Sequence, residues 1–275
     1  MSKIAFIGTG NMGGALVIGV CKAIEPRQVA IYDRNGYKMR ALTEKTGCTV
    51  CGSIDEAAEN AEYLVLGAKP QVFADLQKSL VPAMKKAQEK GIKQTVISIR
   101  AGLTLDTLAE IPLAAGLDLP IVRMLPNTPC EVGDGLILRA CNGRVTDESK
   151  EEILSVFAEC GLFDYVTEHI IDVASAVSGC SPAFAYMFIE ALSDGAVRCG
   201  VPRDKAIKYA AQAVMGSAQM VLQTGRHPDA LKDAVCSPGG STIVGVATLE
   251  NSAFRARSAN AVYYANERNK ELGKK

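Results

Sequence analysis

Apolar and polar positions follow a repeating order through the first half of the chain. Short apolar runs, "KIAFIG", "VAIYD", "YLVLGAK", "TVISI", "PIVRML" and "GLILRA", are separated by stretches whose apolar residues recur at helical spacing. Alternation of this kind specifies a parallel, doubly wound sheet with covering helices. Between the runs, "MGGALVIGVCKAI" and "YKMRALTEKTG" are read as connecting helices, the second closed by Gly47. "SIDEAAENAEY" opens with Ser53 and places Glu56 three residues later, the signature of a capping box. Strand signals stop near residue 145. "DESKEEILSVFAECG", with its acidic first turn and Gly161 behind it, is expected to be the last helix of this first domain.

From Ser181 the pattern is helical almost to the end. "SPAFAYMFIEALSDGAVRCG" is expected to use Ser181 as N-cap, Pro182 at the first helical position and Gly200 at its close. It is apolar on nearly every side. A helix without a polar face must be buried, and a domain this short buries it best against a second subunit. Two further helices, roughly 203–223 and 252–272, flank the loop "CSPGGSTIVG". The expected fold is α/β, an N-terminal Rossmann-type doubly wound parallel sheet over 1–162 followed by an all-α C-terminal dimerisation domain over 163–275.

Composition narrows the partners. Of 275 residues, 48% are hydrophobic, enough for about two domains with sizeable cores, and thirty basic residues balance thirty acidic ones. No global field draws such a chain to nucleic acid or to anionic lipid, so a small molecule is the expected partner. The first strand starts at Lys3, which leaves no room for a secretory signal, and the apolar run "IIDVASAVSGCSPAFAYMFI" is interrupted by Asp172, Gly179 and Pro182, which argues against a membrane span. A cytoplasmic protein is expected. Nine scattered cysteines read as reduced, small buried residues. Cys48 and Cys51 have CxxC spacing, but the chain has only His169 and His227 to complete a metal site, so a buried strand edge is the better reading and no metal is expected.

Candidate chemistry begins at Gly8, Gly10 and Gly13, a GxGxxG that follows an apolar strand and opens an amphipathic helix. That context makes Gly8, Thr9, Gly10, Asn11, Met12 and Gly13 a dinucleotide turn, because glycine allows the tight bend and the close approach of a pyrophosphate to the helix amides. Asp33 stands twenty residues beyond Gly13, where an acidic residue hydrogen-bonds the adenosine ribose of NAD, while Arg34 and Asn35 follow at once. An arginine there either stacks on adenine or pairs with the ribose phosphate of NADP, so that the two signals are mixed and lean to NADP. The cofactor is therefore expected to be NADPH, with NADH as the alternative. Ligands of open α/β sheets lie beyond the carboxyl ends of the strands, which brings in "GAKP", "SIRAG" and "MLPNTP". Ala68, Lys69, Pro70 and Asn127 are carried forward as cofactor contacts, although turns of this composition occur in all such folds. In "SPGGSTIVG", Gly239 and Gly240 lead into Ser241 and Thr242 at a helix start, which is either an anion site or an ordinary N-cap. His227 and Glu190 are read as structural.

Taken together, these stretches resemble the Δ1-pyrroline-5-carboxylate reductase family. The matching motifs are "FIGTGNMGGA", "AKP", "SIRAG", "MLPNTPCEVG", "SGCSPAF", "EALSDGAVRCGVPR" and "HPDALKDAVCSPGGSTI", with Leu249 and Glu250 after them. The resemblance implies reduction of the cyclic imine (S)-1-pyrroline-5-carboxylate to L-proline by hydride from NADPH. It further implies a helical domain that binds substrate and interlocks two subunits, in a homodimer that assembles further into a decamer. Ser237, Gly239, Gly240, Ser241 and Thr242 then form the substrate loop, with amides of Gly240, Ser241 and Thr242 on the carboxylate and the Thr242 hydroxyl, the catalytic group, on the ring nitrogen. The sequence departs from the family at Cys180, Ser181 and Phe184, where SGSGPAY is common, and at Arg100, where a small residue is usual. A β-hydroxyacid dehydrogenase shares the layout but needs a lysine on the long helix, and residues 181–200 contain none. A dinucleotide sensor without catalysis would have no use for a second anion site.

Overall fold

The computed structural model describes residues 2–67 and 73–272. It divides into two compact units, residues 1–179 with 266–275, and residues 180–265. The expected boundary at 162 thus falls inside the first unit.

Eight strands form one sheet: β1 (Ser2–Ile7), β2 (Val29–Tyr32), β3 (Thr49–Val50), β4 (Ala61–Leu66), β5 (Thr95–Ser98), β6 (Ile121–Leu125), β7 (Gly135–Cys141) and β8 (Gly161–Tyr165). Their order is β3-β2-β1-β4-β5-β6-β7-β8, and every pairing is parallel except β6 with β7. The doubly wound parallel sheet expected from the alternation is thus present, with one antiparallel pair that the alternation did not specify. The link from β6 to β7 is a short 3₁₀ turn, Thr128–Val132, too short for a crossover, so the chain doubles back. The expected end of strand signals near 145 is also corrected, because β8 pairs parallel with β7 beyond it. β8 is half exposed and carries Asp164, so it lacks the apolar run that marks an inner strand, and Gly161, expected after a helix, starts this strand at φ 126°.

Alternate residues of β1 show how the sheet is covered. Ile4 and Phe6 pack on one face with residues of α1 (Asn11–Ala23) and α6 (Asp147–Val156), and Ala5 and Ile7 pack on the other with residues of α3 (Ile54–Ala58), α4 (Phe73–Glu89) and α5 (Leu105–Ala114). Side chains of a strand point alternately to opposite faces, so helices lie on both sides, as a doubly wound sheet requires. α2 (Gly36–Thr46) ends at Gly47 in the left-handed region at φ 78°, and Ser53 Oγ accepts from the Glu56 amide at 3.1 Å, both as expected. Cys48 and Cys51 are buried on either side of the two-residue β3, and burial pushes the Cys51 thiol up to about 11.

α7 (Glu168–Ser178) belongs to the sheet unit, so it and not α6 closes the first domain. It is held by Arg123, which lies within β6 between Ile121 and Leu125 and is 1% exposed. Its guanidinium is paired with Asp172 through both nitrogens, one at 3.2 Å, and lies 3.7 Å from Glu168. Asp172 is half exposed, so only removal of the carboxylate, which would leave the Arg123 charge buried without its partner, is expected to be costly.

The second unit is helical: α8 (Ser181–Arg198), α9 (Arg203–Thr224), α10 (Pro228–Ala234), α11 (Ser241–Asn251) and most of α12 (Phe254–Leu272). α8 begins one residue earlier than expected, with Cys180 as N-cap, because Cys180 already has helical backbone angles. The stretch Glu168–Arg198 is long and apolar enough to cross a membrane, but it is two helices interrupted at Gly179 and Cys180, and Asp172 ties the first to the sheet. Within α8 only Ser193 is buried, and α11 buries nothing. Met187 at 69%, Leu222 at 76% and Val244 at 64% exposure mark a unit whose apolar surface is far more extensive than a lone soluble domain presents.

Candidate active site

At the end of β1 the chain turns at Gly8, whose φ of 98° is open to glycine and costly to other residues. The turn is pinned to its neighbours, since the Gly8 amide donates to Tyr32 O at 2.8 Å and the Gly67 amide to Ile7 O at 2.9 Å. α1 then starts so close to the turn that a Cβ on Gly13 would lie 2.3 Å from Gly8 O. A Cβ on Gly10 would meet nothing within 4 Å. The two glycines therefore serve different needs: Gly13 lets the helix pack on the turn, and Gly10 leaves space over it.

That space faces a helix start equipped for an anion. Gly10 caps α1 without a side-chain hydrogen bond, and the first turn holds no acidic residue. The amides of Asn11, Met12 and Gly13 have no acceptor within the helix, and the helix dipole adds positive potential there. Beside it lies a hollow of about 320 Å³ lined by Thr9, Gly10, Asn11 and Gly14 from α1 and the turn before it, by Lys38, Leu42 and Lys45 from α2, and by Glu131. These features fit the pyrophosphate and adenosine end of a dinucleotide.

Asp33 occupies the end of β2 as expected, but its carboxylate is turned inward. Oδ2 accepts from the Thr9 amide at 2.7 Å and from Thr9 Oγ1 at 3.3 Å, and Oδ1 accepts from the Asn35 amide at 2.9 Å. The Asn35 side chain caps α2, accepting from the amides of Tyr37 and Lys38 at 3.1 and 3.2 Å. Arg34 is exposed. Asn127 is buried and held at both ends of its amide, its Nδ2 donating to Ser178 O at 2.9 Å and its Oδ1 accepting from the Leu136 amide at 2.8 Å, so its side chain joins β6, β7 and α7. Ala68, Lys69 and Pro70 lie outside the described residues. At the end of β5, Ser98 is fully buried, and burial lowers the proton affinity of the Arg100 guanidinium.

In the helical unit, Ser237, Pro238, Gly239 and Gly240 form a tight turn closed by the Gly240 amide on Ser237 O at 3.0 Å. Gly239 has φ 69°, which with Pro238 before it is the pattern of a type II turn. The turn delivers Gly240 as the cap of α11, and here too no side chain caps the helix. The ordinary Ser/Thr N-cap reading is thereby removed: Ser241 and Thr242 are the first two helical residues, exposed, with amides that have no acceptor inside the helix. His227 is structural as expected, its Nδ1 accepting from the Asp229 amide at 3.2 Å at the start of α10. Lys38, Lys45 and Glu131 were not singled out by sequence because a lysine on a helix carries no positional signature. Arg123 had a signal, a cation inside the apolar run "PIVRML", but its partners lie some fifty residues away.

Two family models match the chain. One, described as pyrroline-5-carboxylate reductase dimerisation, covers residues 168–272, and the other, described as NADP oxidoreductase coenzyme F420-dependent, covers residues 3–102. The chain is 41% identical over 274 residues to a pyrroline-5-carboxylate reductase of Escherichia coli, covering 99% of this chain and 98% of that one. It is 36% identical over 271 residues to that of Glycine max, covering 98% and 95%. Among solved structures, the Plasmodium falciparum pyrroline carboxylate reductase with NADP bound aligns at a TM-score of 0.85 with 32% identity, covering 99% and 98% of the two chains. That of Coxiella burnetii aligns at 0.84 with 31% identity, covering 98% of each.

Proposed function

The chain belongs to the pyrroline-5-carboxylate reductase family and is an NADP-dependent oxidoreductase with that activity, and we propose which of its own groups carry the reaction. The reaction is reduction of the C=N bond of (S)-1-pyrroline-5-carboxylate to L-proline, the bound nicotinamide supplying the hydride. The amides of Asn11, Met12 and Gly13 receive the pyrophosphate at the start of α1, in the space that Gly10 leaves open.

The substrate is a small anion, and the observation that carries its placement is the uncapped start of α11 behind the Ser237–Gly240 turn. Amides of Gly240, Ser241 and Thr242 hold the carboxylate, each charge-assisted hydrogen bond contributing about 1.5 to 3 kcal/mol. Ser237 and Gly239 shape the loop. The Thr242 hydroxyl reaches the ring nitrogen, where it orients the imine and handles its proton. No strong base is needed, because an imine nitrogen arrives protonated or takes a proton through a hydroxyl. The absence of lysine between Ser181 and Arg198 fits imine chemistry and not alcohol oxidation.

The helical unit is a dimerisation domain, and its exposed apolar residues support burial against a second copy of the chain; assembly of such dimers into a decamer and a cytoplasmic location complete the proposed reading. Incubating the full-length protein with NADPH and the imine tests the reading. L-proline is expected to appear one for one with NADPH consumed, and proline formation without NADPH consumption, or neither, would overturn it.

A further inference from the structure

Cys48 and Cys51 have the spacing of a redox pair, yet the fold separates them. The two-residue strand β3 lies between them, and Cys48 joins the core on the face covered by α1 and α6 while Cys51 joins the core on the opposite face. Burial pushes the Cys51 thiol up to about 11, so it is unreactive as well as turned away.

The thiol that meets Cys48 comes instead from the last turn of α1. Cys21 packs against the same core cluster and interacts with the side chains of Cys48 and Thr46. Cys48 Sγ lies 3.8 Å from Thr43 Oγ1, and the Cys48 amide donates to Thr46 Oγ1 at 3.3 Å. Two sulfurs and two hydroxyls thus form one cluster where the end of α1 meets the end of α2. Cys48 is 2% exposed and Cys21 is partly exposed, so the cluster opens to solvent at Cys21. Hydrogen bonding between the two thiols holds Cys48 down at about 6 and raises Cys21. A ready thiolate beside a second, accessible thiol is the arrangement of a peroxide-reactive cysteine with its resolving partner.

We propose that Cys21 and Cys48 are a modification site, a dithiol that a small hydroperoxide oxidises to a disulfide joining α1 to the link between α2 and β3. With hydrogen peroxide, the Cys48 sulfur attacks one oxygen, the O–O bond breaks, and the departing hydroxide takes up the proton Cys48 gave up and leaves as water. The sulfur of Cys21 then displaces the hydroxyl of the Cys48 sulfenic acid, which leaves as a second water with the Cys21 proton, and the S–S bond forms. Two thiols are oxidised and one peroxide is reduced to two waters. An external dithiol reverses the bond by exchange. The hollow is lined by Ala15 and Ile18 of α1 and by Lys38 and Leu42 of α2, so the bond also fixes the spacing of the two helices around it. An effect on NADPH binding rests on the reading of that hollow as a cofactor site; formation of the bond does not.

The test treats reduced full-length protein with hydrogen peroxide in molar excess, alkylates the remaining thiols and maps the peptides by mass spectrometry. The protein is expected to lose two of its nine thiols and two hydrogens, to yield a linked peptide pair carrying Cys21 and Cys48, and to recover both thiols in dithiothreitol. Cys51→Ser is expected to form the same bond. Cys21→Ser, which keeps a hydrogen-bond donor beside Cys48, is expected to give no linked peptide and to leave oxygen on Cys48. A bond between Cys48 and Cys51, oxidation of other cysteines ahead of this pair, or retention of all nine thiols would overturn the proposal. NADPH titration of the oxidised and reduced forms is expected to give affinities that differ by about fivefold or more, and equal affinities would overturn the link to the hollow. A protein that forms the bond but does not reduce the imine would sink the reductase reading alone and leave the thiol pair supported.

Discussion

The pair Gly10 and Gly13 separates what the turn needs to fold from what it needs to bind. A Cβ at Gly13 would lie 2.3 Å from Gly8 O. Carbon contacts are comfortable near 3.5 Å, so Gly13→Ala forces the helix start and the turn apart by roughly 1 Å. The turn resists, because Gly8 is fixed to Tyr32 and Thr9 to Asp33. Overpacking of this kind costs about 1 to 3 kcal/mol, which for a chain of this size lowers Tm by roughly 3 to 10 °C. Displaced amides also lose at least one hydrogen bond to the pyrophosphate, weakening NADPH by about tenfold to a hundredfold. Gly10→Ala is the contrast. Its φ of −63° suits alanine and its Cβ meets no protein atom, so stability is expected to stay within about 0.5 kcal/mol of the parent. The same methyl occupies the space given to the ligand, and NADPH affinity is expected to fall tenfold or more. Scanning calorimetry of the apoprotein and NADPH titration of both variants make the comparison. Parent-like NADPH affinity in Gly10→Ala, or a parent-like Tm in Gly13→Ala, would refute the division of roles.

Three further outcomes are expected. Thr242→Val should lower kcat/KM for the imine by roughly tenfold or more with NADPH affinity unchanged, since one positioned donor at a reacting centre is worth that much, and unchanged kinetics would remove Thr242 from the reaction. Glu152 has its pKa held down by the Lys3 ammonium and then by the Tyr63 hydroxyl, so its contribution is present above the ordinary value of 4.5 and lost as pH falls through the folded value. Because its side chain is 42% exposed, Glu152→Gln should cost no more than about 1 kcal/mol at neutral pH, and the difference in chemical denaturation should vanish in acid; a cost that grows in acid would contradict the pairing. Met187→Glu places a charge on the uncovered apolar face of α8 and should yield a smaller species in light scattering, whereas an unchanged mass would show that this face is not the subunit contact.

Much of this was legible in the chain because local rules and global packing agree. Gly8, Gly10 and Gly13 behind an apolar strand announce the turn, and Gly47 and Ser53 announce helix ends that form as expected. β8 escaped because an edge strand that is half exposed needs no apolar run, and the reversal of β7 escaped because direction depends on the length of the link and not on the strand's own residues. The inward turn of Asp33 was invisible for a different reason. Spacing places an acidic residue at the strand end but does not say whether Thr9 or a ribose will supply its donors. The partners of Arg123 are likewise set by the packing of α7 on the sheet, a contact across some fifty residues of sequence.

The most direct measurement follows the hydrogen itself. With NADPH carrying deuterium at the transferring position of the nicotinamide, L-proline made from (S)-1-pyrroline-5-carboxylate should carry one deuterium on the ring carbon of the former C=N bond. Unlabelled proline, or label elsewhere in the ring, would contradict hydride reduction of the imine by this protein.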